Sequence, residues 1–223
     1  MEQSDSGTPG RNPRRDPELT RREILDAATV EFARHGPVGA RADDIARRTN
    51  TSKRMIFYYF GSKEGLYKAV LRENYARIRS LETHLGLDHL EPEAALRALV
   101  RATLQHYERY PDMARIVALE NLIMHGHVAE QVGDMAEINR SAPAMIESIL
   151  ERGRESGVFR TDPDAPSALD VHEVLSALVL NRISNQMTFR AAFGRDMLGK
   201  KDSPHIRALI EDTVLRLVLR DVD

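Results

Sequence analysis

Apolar residues recur at helical spacing through most of the chain, and alternating strand patterns are scarce. Ile24, Leu25, Ala28 and Phe32 form one stripe. It predicts a helix that starts at Asp16-Pro17, or at a Thr20–Glu23 capping box, and ends at Gly36-Pro37. A short helix follows over about 41–49, with Ile45 as its inward anchor. Asn50 is a turn residue, and Thr51 or Ser52 caps a second short helix that runs to about Phe60. Gly61-Ser62 breaks the chain, and a helix carrying Leu66 and Val70 continues to about Ser80. Two short helices joined by a tight polar turn, with a helix before them, read as a helix-turn-helix.

The remainder predicts longer helices over Pro92–Tyr110, Met113–His125 and Val128–Ser156, with a kink or break near Ser141 because Pro143 lies inside. Leu169–Phe193 reads as one long helix and Pro204–Val218 as the last. The fold class is therefore all-α. An N-terminal helix-turn-helix domain over 16–80 precedes a larger helical domain over 81–223. Residues 1–15, rich in Ser, Gly, Pro and Arg, predict a disordered arm whose Arg14 and Arg15 are within reach of DNA.

Composition narrows the function. The 223 residues hold no cysteine, which excludes disulfides, thiolate metal sites and cysteine catalysis. No apolar run approaches a membrane span and the N-terminus lacks a secretion signal, so the expected location is cytoplasmic, with no membrane partner. The net charge of −2 conceals an asymmetry. Positions 41–72 hold eight basic and three acidic side chains, as expected where one end of a molecule meets a polyanion.

Four of the twelve aromatic residues are contiguous, Phe57-Tyr58-Tyr59-Phe60, between Lys53-Arg54 and Lys63. On a helix they cannot share one face. Ile56 and Phe60, four apart, are assigned inward, while Phe57, Tyr58 and Tyr59 are candidates for the outer side. The competing reading makes the whole aromatic run core. Arg54, in the first turn of the second short helix, has the donors for a bidentate guanine contact. Lys53 suits a base or a phosphate.

The stretches "ILDAATVEFARHG" and "ADDIARRTNTSKRMIFYYFGSKEGLYKAVL" resemble the DNA-binding domain of TetR-type transcriptional regulators over about residues 18–72. The resemblance implies DNA contact at positions 57–59 and a phosphate contact at Lys63. This chain departs from the family pattern at Phe57, where Tyr is frequent, and at Ala40, where a capping Thr is frequent. Neighbouring Arg41 then supplies the charge. The candidate DNA-contacting set is Arg41, Ser52, Lys53, Arg54, Phe57, Tyr58, Tyr59 and Lys63.

Beyond residue 80 the resemblance implies an effector-binding and dimerising domain. Polar residues among apolar ones mark the candidate effector pocket: Arg115, Leu119, Asn121, Met124, His125, His172, Leu175 and Arg182. Two apolar faces on the 169–193 helix, and a broad stripe on the last, mark a candidate dimer interface: Leu180, Ile183, Met187, Ile206, Ile210, Val214 and Leu217. The expected partners are an operator in double-stranded DNA, a small-molecule effector and a second copy. No metal or cofactor is expected, His125 and His127 lacking further ligands nearby. Nothing matches a nucleophile elbow, a metal-ligand cluster or a phosphate loop, so no motif supports an enzyme, and the resemblance implies a ligand-responsive regulator, most simply a repressor. An activator of the same fold, an all-α enzyme and a protein-contact module are the alternatives.

Overall fold

Asp16 starts the first helix by accepting the Glu18 N–H at 2.9 Å. The capping box expected at Thr20–Glu23 does not form. Thr20 is buried one turn inside the helix, and its hydroxyl donates back to the Asp16 carbonyl at 3.0 Å. This computed structural model describes residues 16–220, so the N-terminal arm with Arg14 and Arg15 lies outside the described residues. Eleven α-helices follow one another among the described residues. They are α1 (Pro17–Gly39), α2 (Ala42–Arg48), α3 (Lys53–Phe60), α4 (Lys63–Thr83), α5 (Pro92–Arg109) and α6 (Pro111–Leu122), then α7 (Met135–Asn139), α8 (Ser141–Glu155), α9 (Ala168–Ser184), α10 (Gln186–Phe193) and α11 (Ser203–Val218). A lone antiparallel bridge, Phe159 to Leu219, is the only extended pairing among them.

Three elements differ from the sequence expectation. The α6 helix ends at Leu122 rather than His125. There the backbone turns left-handed at His125 (φ 53°) and Gly126 (φ 76°). Residues 123–134 then form turns and one 3-10 turn, so α8 proper begins only at Ser141. That start coincides with the expected break, and Pro143 sits in the first turn, where its missing N–H costs nothing. The expected long helix 169–193 is broken at Asn185 (φ −97°, ψ 5°). The physical reason lies downstream. Arg182 Nε donates to the Met197 carbonyl at 3.0 Å and Nη2 to Ser203 Oγ at 2.6 Å. A straight α9–α10 rod would carry residues 195–203 away from these partners.

Two apolar cores result. One joins Ile24, Leu25, Ala28 and Phe32 of α1 to Ile45, Ile56, Leu66, Tyr67, Val70 and Leu71, and also takes in Ile116 of α6 and Val128. The other is built by α5, α8, α9 and α11, with Ile78 from the far half of α4. The α4 helix thus runs through both. Buried charges brace the second core. Arg182 pairs with Glu108, which also holds Arg207, and Glu211 accepts from Arg101 Nε at 2.7 Å and contacts Arg97.

Two outcomes follow. A Cβ on Gly153 would stand 1.9 Å from the buried Phe159 ring. Gly153→Ala should therefore destabilise by about 1–3 kcal/mol, read by urea unfolding. His106 is buried against Tyr107 and Tyr110, and burial lowers its pKa to about 4. The unfolded imidazole titrates near 6.5, so the unfolded chain binds more protons below that value. Stability should fall as pH drops from about 6.5 towards 4, and His106→Leu should flatten that slope.

Candidate nucleic-acid interface

The α2 helix is short but chemically matched to its dipole, with Asp43 and Asp44 in its first turn and Arg47 and Arg48 in its last. Ile45 fixes its inner face and Ile56 fixes that of α3, both fully buried. The turn between them is stabilised locally. Thr49 Oγ1 donates to the Ile45 carbonyl at 3.2 Å, and Ser52 Oγ accepts the Met55 N–H at 3.2 Å. Ser52 thus serves as the cap of α3.

No acidic residue stands in the first turn of α3. Its positive dipole end and the cations Lys53 and Arg54 reinforce one another, an arrangement that favours an approaching anion. Both side chains are exposed. Lys53 Nζ is paired with Asp43 Oδ2 at 3.1 Å. Arg54 has no hydrogen bond or ion pair among the described residues. Tyr58 is 78% exposed and stacks edgewise on Tyr59 at 5.6 Å between centroids.

The other aromatics do not divide as expected. Tyr59 leans on the N-terminal core and offers only part of its ring. Phe57 is half-buried. Phe60, assigned inward, does pack against that core but stays half-buried. One face lies under the Arg21 guanidinium, 5.4 Å from the ring centroid.

Lys63 differs more. Its Nζ donates to the Val38 carbonyl at 2.9 Å and the Ala40 carbonyl at 3.3 Å. Here the ammonium braces the end of α1 against the start of α4, rather than standing free for a phosphate. Arg41 is exposed, and its backbone N–H meets Glu31 Oε1 at 3.4 Å. Sequence reading missed Glu31. This buried carboxylate also faces Arg48 at 3.7 Å. It stands seven residues after Ile24 and three after Ala28, on the buried stripe, but its charge argued for water. Gly65 was missed too. A Cβ there would lie 2.2 Å from the Phe60 carbonyl oxygen, so the tight α3–α4 corner requires glycine.

The eight candidate pocket residues do not converge. Arg115, Leu119 and Met124 line a surface groove between α6 and the end of α1. Asn121 is exposed and bonds back to the Val117 carbonyl at 2.8 Å. His125 is exposed in its turn. Arg182 is consumed by the Glu108 and Ser203 contacts described above. Only His172 and Leu175 border an interior cavity, with Arg79 and Glu82 of α4, Tyr107 of α5, Met145 of α8 and Ser176 of α9. Burial lowers the His172 pKa and raises that of Glu82, the latter opposed by Arg79. Sequence reading missed Arg79 and Glu82 because an Arg and a Glu three apart on a helix look like an ordinary surface pair.

The candidate dimer residues also separate. Ile183, Ile210 and Val214 belong to the protomer's own core and present no surface to a partner. Leu180, Ile206 and Leu217 are half-buried against that core. Met187 is 71% exposed. Leu169, Phe193 and Leu209 are large apolar side chains that stand uncovered as well. Among the described residues, no helix is long and apolar enough to cross a membrane.

Comparison with known proteins agrees with this arrangement. Residues 24–70 match the family model for bacterial regulatory proteins of the tetR family, and residues 92–214 match that for the tetracyclin repressor-like C-terminal domain. The chain is 34% identical over 197 residues to the HTH-type transcriptional repressor NicS of Pseudomonas putida, covering 88% of this chain and 91% of that protein. It is 29% identical to the HTH-type transcriptional repressor SCO4008 of Streptomyces coelicolor, covering 70% and 75% of the two chains. The fold is shared with the ketosteroid transcriptional regulator KstR2 of Mycobacterium tuberculosis, at a TM-score of 0.66 and 19% identity over 90% of this chain and 95% of that one.

The Lys53–Asp43 pair sets a measurable expectation. Asp43→Asn removes a carboxylate from the basic face and frees Lys53. Affinity for mixed-sequence duplex should rise, and the slope of log K against log salt should steepen by about 0.9, one phosphate contact. Unchanged salt dependence in a fluorescence-anisotropy titration would place Lys53 away from the phosphates.

Proposed function

The chain belongs to the TetR family of bacterial regulatory proteins, and from that premise we propose that it is a dimeric repressor whose grip on a palindromic operator is loosened by a small molecule. The observation that carries this reading is the exposed cationic first turn of α3, which holds no acidic residue of its own, mounted on two fully buried anchors, Ile45 and Ile56. In this reading α3 lies in the major groove. Arg54, free of any protein partner among the described residues, presents its fork to guanine O6 and N7. Lys53 exchanges Asp43 for a phosphate. Tyr58 donates its hydroxyl to the backbone, while Phe57 and Tyr59 add apolar contact with their exposed edges. Lys63 contributes by holding the corner that aims α3, and Arg41 adds charge beside it.

One α3 reads only a half-site. A two-fold pair reads two, about 34 Å apart, in successive major grooves. The outward faces of α9 and α11 are the surfaces available for that pairing. Their exposed positions combine Leu169 and Leu209 with small residues such as Ala177 and Ala208, which let helices approach closely.

The interior cavity under α4 is the effector site in this reading. Arg79 and Glu82 lie on the same helix as Leu66, Tyr67, Val70 and Leu71. A molecule that displaces the cavity segment of α4 therefore re-aims the N-terminal core and mis-spaces the two copies of α3. An effector that binds this displaced state better weakens the operator complex by the difference, typically about 1–3 kcal/mol.

Gel shifts against the DNA upstream of its own gene, with a salt series and a mixed-sequence competitor, test the proposal. Arg54→Ala should cost about 1–3 kcal/mol and relax preference at one base pair in each half-site. Equal affinity for upstream and mixed DNA in the unaltered protein would defeat it. Leu209→Glu should shift the protein towards monomer in sedimentation and weaken operator binding by more than it weakens non-specific binding.

A further inference from the structure

The strongest unexplained feature lies in the interior cavity. Arg79 is only 9% exposed and Glu82 only 7%. Their charged atoms, Nη1 and Oε2, stand 2.9 Å apart. Yet the two groups are out of line for a hydrogen bond, and Arg79 Nε, Arg79 Nη1 and Glu82 Oε2 all remain buried without a hydrogen-bond partner. A buried ion pair offsets its desolvation only when its remaining donors and acceptors are satisfied. The Arg182–Glu108–Arg207 cluster meets that condition, with Arg182 donating to Glu108, Ser203 and the Met197 carbonyl. Arg79 does not.

Resting on the reading of this cavity as the effector site, we propose that the effector is a compact organic acid, bound by its carboxylate to the under-satisfied guanidinium of Arg79. A guanidinium offers planar two-donor edges, Nε with Nη2 and Nη1 with Nη2, so each unpartnered nitrogen belongs to one, and a carboxylate presents two oxygens at matching spacing. A single negative charge suits the site better than a phosphate dianion, because Glu82 already stands beside the guanidinium. Tyr107, His172 and Ser176 are polar groups on the cavity wall for a second substituent, while Leu99, Met145 and Leu175 supply apolar walls for the body of the molecule. The free space is about 20 Å³, room for one water. An acid therefore enters only by parting α4 from α8 and α9. Recognition by Arg79 and movement of α4 become one event.

The test uses the full-length protein and matched pairs of probes, benzoate with benzamide and hexanoate with hexanamide. Calorimetry without DNA reads affinity, and thermal unfolding reads stabilisation. At least one acid should bind and raise the melting temperature, with its amide at least tenfold weaker. Arg79→Met should abolish acid binding, and Arg79→Lys, which keeps charge but loses the fork, should weaken it at least tenfold. Ser176→Met, which fills the cavity and leaves Arg79 in place, should abolish it too and guards against misfolding of the Arg79 variants. Binding of neither acid, amides equal to acids, or acid binding unaltered in Arg79→Met and Ser176→Met would each overturn the proposal. The regulatory reading fails separately. An acid bound at Arg79 that leaves upstream DNA in place would sink the repressor mechanism and leave this assignment intact. A neutral molecule releasing DNA with no acid bound would do the reverse.

Discussion

The α4 helix lends its buried face to both cores. Leu66, Tyr67, Val70 and Leu71 pack into the N-terminal cluster, and Ile78 packs into the other. A continuous helix is stiff over this length, so its two ends cannot be repacked independently. The second tie runs the opposite way. Ile116 of α6 and Val128 beyond it insert into the N-terminal core. The packing boundary is therefore not a point in the chain, and the two halves of the molecule share an interior along α4 and α6.

Buried polar groups mark that shared interior. Glu120 of α6 accepts the N–H groups of Val128 and Ala129, each at 2.8 Å, and so holds the chain that follows α6. Its second oxygen and the Tyr67 hydroxyl are both buried and unsatisfied. Burial, then the nearby Glu120 charge, pushes the Tyr67 pKa up and keeps the phenol neutral. Tyr67 in turn meets Phe32 of α1 edge to face, with centroids 4.9 Å apart. Phe32, Tyr67, Glu120 and the Val128 backbone thus form one line of contacts from α1 to the turn after α6. Polar groups left short of partners in such a line lower the cost of a second arrangement, which is what a two-state element needs.

The N-terminal helices were largely legible in their residues. Ile24, Leu25, Ala28, Phe32, Ile45 and Ile56 are buried as their spacing implied, and Ser52 and Ser62 cap the helices they precede. These features are local, set by helical periodicity and by side chains that bond backbone two or three residues away. The roles of Lys63 and Glu31 were not legible. Each is decided by partners from 10 to 25 positions distant. The candidate effector and dimer residues do not gather into single surfaces. Periodicity marks an apolar position but does not say whether the protomer or a second copy covers it, and Val214 and Ile210 are covered by the protomer.

The amino-acid sequence by itself determined the all-α class, the helix-turn-helix and its cationic first turn, because these follow from short-range spacing, capping and charge. Tertiary structure alone decided which charges are interior. It broke the 169–193 helix at Asn185 so that Arg182 meets Met197 and Ser203, turned Lys63 onto the end of α1, and buried Arg79 with Glu82 beside His172. Burial is a property of several helices packed together. A charged residue on a helix carries no local sign of whether its next neighbour will be water or another helix.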